Sequence, residues 1–399
     1  MGLMQLEEAL LPYEKKLRAQ ERLRRFLGVR VVERPTYEQY ITGPIEPFER
    51  LKNARKAIWP NNPYGVQLRA RFKARTGHDG LDPLPFSDLD MEGRIAQSLF
   101  RAGFRFSEEY FHEPLPVTSP EGRVEVSDKA WMSRLIKKVG LLFGAEMVRI
   151  TNVDPRWIYK DATVTHPHVI VLVVNHIPSF LCTAPSHYAY FSAGNTYTRL
   201  KFIATQVTDF IRGLGYNADC GPNFRDSKTH VMEIMMVPTA IDAGVGEFCR
   251  NGKVLSPEFG NNMRMMQVTT DLPLDVDKPV SFGVHEFCMS CEICAELCPA
   301  KAIPYGPPSD AVPGVHNNPG YRKWYVDHER CLIFWGVNKK KWTSCAGRCL
   351  AVCPWSKPIR PLHNLVRWTA IHAPTPVRKM LVWCDKKVYH GKKKEQEKT

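Results

Sequence analysis

Four cysteines set the frame for this chain: Cys288, Cys291, Cys294 and Cys298, followed at once by Pro299. Read as C-x2-C-x2-C-x3-C-P, they have the spacing by which thiolates wrap a cubane iron–sulfur cluster. A second set follows, Cys331, Cys345, Cys349 and Cys353 with Pro354. In such a run the first three cysteines ligate one cluster and the fourth points to the other. Cluster one then takes Cys288, Cys291, Cys294 and Cys353, and cluster two takes Cys298, Cys331, Cys345 and Cys349. Zinc is the competing reading, but zinc ribbons use paired C-x2-C units and four thiolates per metal, which this run fits poorly. Two [4Fe–4S] clusters are expected, and with them a chain that moves electrons one at a time.

The remaining cysteines, Cys182, Cys220, Cys249 and Cys384, are too few for a disulfide scaffold and read as packed thiols. Lys and Arg number 55 against 41 Asp and Glu, a net charge of +14. Part of the excess lies in residues 386–398, a tail read as solvated and disordered. The rest suits nucleic acid, an anionic membrane surface or an acidic electron donor. No apolar run approaches the ~20 residues needed to cross a bilayer. Residues near Met1 carry no apolar signal core, so a cytoplasmic chain is expected, or a periplasmic one if this is a processed form.

At 399 residues there is room for two or three domains. Residues 1–125, broken by Pro60, Pro63, Pro83, Pro85, Pro114, Pro116 and Pro120, read as an N-terminal wrapping region with an early helix over 6–26. Residues 126–280 read as an α/β domain. Ser127-Asp128 is positioned to cap a helix that Gly144 ends, and a short strand is predicted over 146–150. The run HVIVLVV from His168 predicts a strand buried on both faces. A second helix runs through Leu200, Ile203, Val207, Ile211 and Leu214, and another strand is predicted over 231–237. The alternation suggests a mostly parallel sheet with helices on both faces. Residues 281–360 form the cluster unit, and 361–399 a C-terminal segment.

About 280 residues precede the clusters, more than an electron carrier needs. Neither a strand-linked G-x-G-x-x-G nor a G-x-x-x-x-G-K-[ST] is present, so nicotinamide, flavin or triphosphate binding by those motifs has no support. The stretch DKAWMSRLIKKVGLLFGAEMVRITNVDPRWIYKD from Asp128 resembles the start of the corrinoid-binding domain of reductive dehalogenases. HPHVIVLVV, YTRLKFIATQVTDFIRGLGY, VPTAIDAGVGEFCRNGKVLSPEFG, TDLPL, the cysteine motifs and CLAVCPW follow in the family's order, covering about residues 128–357. Epoxyqueuosine reductases are similar, but they carry an Asp-Ser/Thr-Ala-Pro segment where this chain has Met235-Met236-Val237-Pro238-Thr239-Ala240. They also use C-x2-C where it has Cys345-x3-Cys349. Both departures favour the dehalogenase side.

The resemblance implies a corrinoid-binding nitroreductase-like or Rossmann-like α/β domain followed by a two-cluster bacterial-ferredoxin-like domain. It implies a base-off cobalamin, reduced to Co(I) through the clusters, and reductive cleavage of a carbon–halogen bond in a small organohalide. Tyr197 matches the family's proton donor. A free phenol has a pKa of ~10, and a neighbouring cation lowers it; Arg264 matches that cation. Asn223 matches an asparagine near the substrate, while Trp335 and Trp355 are candidates for the pocket wall. His166, His168 and His285 read as packing or capping residues. The expected electron route is donor, cluster two, cluster one, cobalt, with a separate ferredoxin or flavodoxin as donor. No nucleic acid is expected, and the charge is compatible with peripheral membrane association. The rival readings are an epoxyqueuosine-type tRNA-modifying reductase, which the net charge favours, and a non-catalytic iron–sulfur carrier.

Overall fold

The computed structural model describes residues 2–53, 57, 62–77, 123–221, 233–337 and 347–390. Its main elements are α1 (Gly2–Ala9), α2 (Leu11–Leu27), α3 (Val66–Thr76), α4 (Lys129–Leu142), β1 (Met147–Asn152), β2 (His168–Asn175) and α5 (His187–Gly213). After these come β3 (Ala218–Cys220), α6 (Met236–Asp242), β4 (Met263–Thr270), α7 (Val284–Ser290), α8 (His328–Val337), α9 (Pro361–His372) and α10 (Thr375–Asp385). Pro60 and the prolines from Pro83 to Pro120 lie outside the described residues.

The predicted first helix is two, α1 and α2. In α4 the Asp128 carboxylate accepts from the Trp131 N–H at 3.0 Å, capping the helix as expected. The predicted strands over 146–150 and from His168 are β1 and β2. The sheet has the order β1-β2-β4-β3. Every pairing in it is antiparallel, which corrects the expectation of a parallel sheet. The central strand β2 is nonetheless buried on both faces. Ile170, Leu172 and Val174 pack with Leu135, Ile136 and Val139 of α4 and Leu200, Ile203 and Val207 of α5. Val169, Val171 and Val173 pack on the other side with Trp157, Ile234, Ile241 and Val254. Two-sided burial usually marks a parallel strand because crossover helices cover both faces. Here the second face is covered by a loop-rich segment instead, so the same apolar run serves an antiparallel strand. Each of these side chains contributes about 1.5–3 kcal/mol of burial.

Two further expectations change. Helix α5 begins at His187, where the Ser186 hydroxyl accepts from the Ala189 N–H at 3.1 Å, so Tyr197 is inside the helix and not at its start. The first turns, HYAYFSAGNT from His187, mix aromatic with small and polar residues and do not continue the apolar spacing of Leu200 to Leu214. The strand expected over 231–237 is a single bridge, Ile234 to Ile158, running into α6; residues 231 and 232 lie outside the described residues. A short apolar run does not distinguish a strand from a buried helix by periodicity alone.

The N-terminal elements touch both later units. Buried Arg24 of α2 pairs with Glu258 and donates to the carbonyls of Gly244 and Val245 at 2.7 and 3.2 Å. Residues Arg30–Val31 pair with Val280–Ser281. Leu68 and Phe72 of α3 pack on Leu332 and Ile333 of α8. Among the described residues no helix is long and apolar enough to cross a membrane.

Candidate functional site

Cys288 sits on α7, Cys291 caps that helix, Cys294 lies in the turn Ile293–Glu296, and Cys353 arrives from the Cys-Pro turn. These four thiols line one small cavity, together with Cys249, Arg250, Asn251 and Asn261. Burial pushes the Cys288 thiol well up and that of Cys291 to about 11. Iron binding there displaces protons from the thiols. Among the described residues no three His, Cys, Asp or Glu side chains share a point suited to a single ion. The four thiols are on the wall of one cavity, and a [4Fe–4S] cube takes four thiolate ligands. Of the second set, Cys298 packs with Cys331 and Cys349. Cys345 lies outside the described residues.

Arg250 holds the first cavity together. It is 1% exposed. It donates to the carbonyls of Cys288 and Cys291 and, at 2.9 Å each, to those of Pro304 and Gly306, while its guanidinium lies 4.8 Å from the Trp324 ring centre. A buried guanidinium is tolerated where its donors are satisfied in this way.

The second cavity is far larger, about 580 Å³. Tyr197, Met235, Met236, Ile241, Arg264 and Trp335 are on its wall. Arg264, on β4, donates from Nη1 to the Tyr197 hydroxyl at 2.8 Å, and its guanidinium lies 4.5 Å from the ring centre. Its Nε, buried, has no hydrogen-bond partner, nor does the Asn262 Oδ1 two residues earlier. His176, next to the pair, is held neutral: burial and the charge of Arg264 push its pKa down to about 3.

Cys331 and Cys349 also face this cavity, so the cysteines on its wall belong to the second set, not the first. Asn261 lines both cavities. Its side chain donates to the Val254 carbonyl at 2.8 Å and to Cys249 Sγ at 3.3 Å, and accepts from Asn251 at 2.7 Å. The segment Ser256-Pro-Glu-Phe-Gly260 brings it there. Gly260 has φ +58°, and a Cβ on it would lie 2.2 Å from the Trp355 carbonyl oxygen. Only glycine permits the approach of this turn to the Cys353-Pro-Trp turn.

Residues 287–357 match the family model of a 4Fe–4S dicluster domain. A tetrachloroethene reductive dehalogenase from Desulfitobacterium hafniense is 36% identical over 231 residues, covering 56% of this chain and 39% of that protein. An epoxyqueuosine reductase from Atelocyanobacterium thalassa is 28% identical over 128 residues, covering 29% of this chain and 35% of that protein. A solved reductive dehalogenase, described as suggesting a mechanism for B12-dependent dehalogenation, superposes with a TM-score of 0.67. It is 23% identical and covers 91% of this chain and 49% of that one. The chain is a relative of the reductive dehalogenases. It spans about half the length of the solved one, and that similarity extends to the fold.

In this dehalogenase relative the candidate residues separate. Tyr197 and Arg264 are brought together on the large cavity, and Trp335 joins them, edge-on to Tyr190 at 6.3 Å. Trp355 is not on that wall. It is buried against Phe282 and Phe287, in the core behind the first thiol set. Asn223 lies outside the described residues. His166 bonds Thr269 at 3.0 Å and His168 bonds Asn152 at 3.1 Å, whereas His285 stacks on Tyr40 and faces the large cavity. Sequence reasoning passed over Arg250 and Asn261 and took Cys249 for an ordinary packed thiol. Arg250 and Cys249 are adjacent in the phrase EFCRNG, which carries no spacing signal of its own.

Proposed function

We propose that this chain is a corrinoid- and iron–sulfur-dependent reductive dehalogenase acting on a small organohalide. In this reading residues 126–280 form the corrinoid-binding domain and 281–360 the electron-transfer domain. The antiparallel sheet suits the nitroreductase-like expectation and not a Rossmann-like parallel one.

One observation carries the reading: the Tyr197–Arg264 pair and the thiols of Cys331 and Cys349 face the same large cavity. A proton donor and an electron outlet converge on a space within the size range of cofactor sites. Arg264, whose buried Nε has no partner, supplies a polar group on the wall, and the Met and Tyr residues of the wall supply apolar contact. In this reading the large cavity would take the base-off cobalamin, and the two thiol sets would each take a [4Fe–4S] cluster. When bound, the corrinoid supplies a strongly reducing cobalt for breaking a carbon–halogen bond.

The residues themselves do the following. Tyr197 holds a proton at its hydroxyl oxygen, directed at the cavity. Arg264 fixes the phenol by donating to that oxygen, and its positive charge stabilises the phenolate left after proton transfer. His176 stays neutral beside Arg264, so it adds no second positive charge. Trp335 narrows the space beside Cys331. Cys298, Cys331 and Cys349 would hold cluster two, and because Cys331 and Cys349 are on the wall that cluster would be the one nearer this cavity. This reading takes the order donor, cluster one, cluster two, corrinoid in place of the one expected from the sequence. The donor is a separate one-electron carrier such as a ferredoxin or flavodoxin.

The test is anaerobic reconstitution of the purified chain with iron, sulfide and cobalamin, followed by halide release from a panel of haloalkenes and halophenols. Cobalamin-dependent halide release is the expected result. Turnover of hypomodified tRNA without halide release would replace this reading with the epoxyqueuosine one.

A further inference from the structure

Residues 357–390 carry seven Lys and Arg and a single acidic residue, Asp385. Asp385 is paired with Lys357 at 3.5 Å, both nearly covered, Arg367 is buried and Lys386 pairs with Glu296, which leaves Arg360, Lys379 and Lys387 as the exposed charges of this segment. Helices α9 and α10 pack on α7, the helix of Cys288. Lys386 pairs with Glu296 in the turn of Cys294. This hairpin is thus the outer cover of the first thiol set, while the second set faces the large cavity.

The cover presents an apolar centre with a basic rim. Met380 is 56% exposed and Trp383 59%. Lys379 and Lys387 are exposed around them, and the Lys387 ammonium lies 5.8 Å from the Trp383 ring centre. Met289, on the Cys288 helix itself, is exposed as well. An apolar core with a charged rim is the anatomy of a protein docking surface, and a rim of one sign steers a partner of the other.

We propose that this face docks an acidic one-electron carrier protein and passes its electron to cluster one. The carrier leaves oxidised by one electron, cluster one is reduced by one, and no bond is made or broken. Two such encounters supply the two electrons of a reductive cleavage. An anionic membrane would satisfy the charge, but it gives no reason for the basic face to overlie the thiols. The inference rests on the iron–sulfur reading above and assigns the entry point of its electrons.

The experiment uses the full chain with reconstituted clusters in anaerobic stopped flow, following bleaching of the cluster absorbance. Reduced acidic ferredoxin is the carrier probe, and Ti(III) citrate the small reductant. If Ti(III) citrate bleaches nothing in the unaltered protein, the iron–sulfur reading fails, not the docking face alone. With clusters present, Lys379→Glu/Lys387→Glu is expected to slow ferredoxin reduction at low salt about tenfold or more, and to leave the Ti(III) citrate rate unchanged. The milder Lys379→Gln/Lys387→Gln is expected to give an intermediate loss, and added salt to remove most of the difference. An unchanged ferredoxin rate in both variants overturns the proposal. If those variants instead lose binding to phosphatidylglycerol vesicles, the face belongs to a membrane.

Discussion

The two cavities are built on opposite principles. The thiol cavity draws three of its five cysteines from seven consecutive residues, Cys288 to Cys294, and is stapled by one arginine that answers four carbonyls. The large cavity draws its wall from positions between Thr36 and Leu350, and its central hydrogen bond joins residues 67 positions apart. Ligation of a cluster fixes distances so tightly that the chain must encode it in local spacing. A space for a larger guest is fixed by how strands and helices meet, and local spacing says little about it.

The comparison breaks most plainly at Cys353, the one remote member of the first set. Cys353→Ala is expected to remove about half of the protein-bound iron and nearly all carrier-driven reduction, because three local thiols leave one corner of the cube without a ligand. Iron assay and electron paramagnetic resonance of the reduced protein check this. Full iron content would mean that locality alone suffices, or that Cys249 on the same cavity wall stands in.

Tyr197→Phe tests the other side. It removes one hydroxyl and little volume, so iron content is expected to stay at the unaltered level while turnover falls ~10²–10⁴-fold, the range for loss of a general acid. Arg264→Gln is expected to fall less, since a neutral donor still holds the phenol. Halide release against pH, with iron measured in parallel, separates the two. Undiminished turnover by Tyr197→Phe would remove the proton-donor role.

The contrast also decides what the sequence disclosed. The pairing of Cys353 with the distant triplet followed from spacing, and α4 with its Asp128 cap followed from period and cap chemistry. Tyr197 and Arg264 came from resemblance alone, because nothing local links a helical tyrosine to an arginine on β4. The parallel sheet was misread because burial on two faces does not reveal which way a neighbouring strand runs. Spacing likewise tells which thiols share a cube, not which of them face the large cavity, where Cys331 and Cys349 are on the wall. Arg250 gave no signal, since its hydrogen bonds go to backbone carbonyls, and its side-chain partners Glu292 and Trp324 stand at no recognisable spacing from it.

Arg250 therefore gives the next test. Arg250→Met keeps much of the volume but removes the guanidinium donor from four carbonyls around the thiol loops, of which Gly306 keeps the Trp324 Nε1 bond and Cys288 the Cys291 N–H bond. Leaving a buried acceptor without its donor costs about 1–3 kcal/mol. A loss of that size in denaturant unfolding of the reconstituted protein is expected, with the cluster absorbance lost in the same transition. A loss below ~1 kcal/mol would mean that cysteine ligation, not the arginine, holds the loops.

The smallest effect is at the edge of the large cavity. Asp242, beside the cavity residue Ile241, accepts from the Tyr37 hydroxyl at 2.5 Å and from Trp157 Nε1 at 2.9 Å. Burial outweighs these bonds and raises its carboxyl from 3.8 to about 6. The folded protein then binds more protons than the unfolded chain between those two values, so stability from this group is full below 3.8 and declines as pH rises toward 6. Asp242→Asn cannot titrate and is expected to flatten that decline, seen as a smaller fall in unfolding midpoint across the same window. An identical slope in both proteins would place the pH dependence elsewhere. The thiol cavity offers no counterpart in this window, because its groups are pushed upward, away from it. A difference confined to mildly acidic pH therefore reports on the wall of the large cavity and leaves the iron–sulfur side out of the measurement.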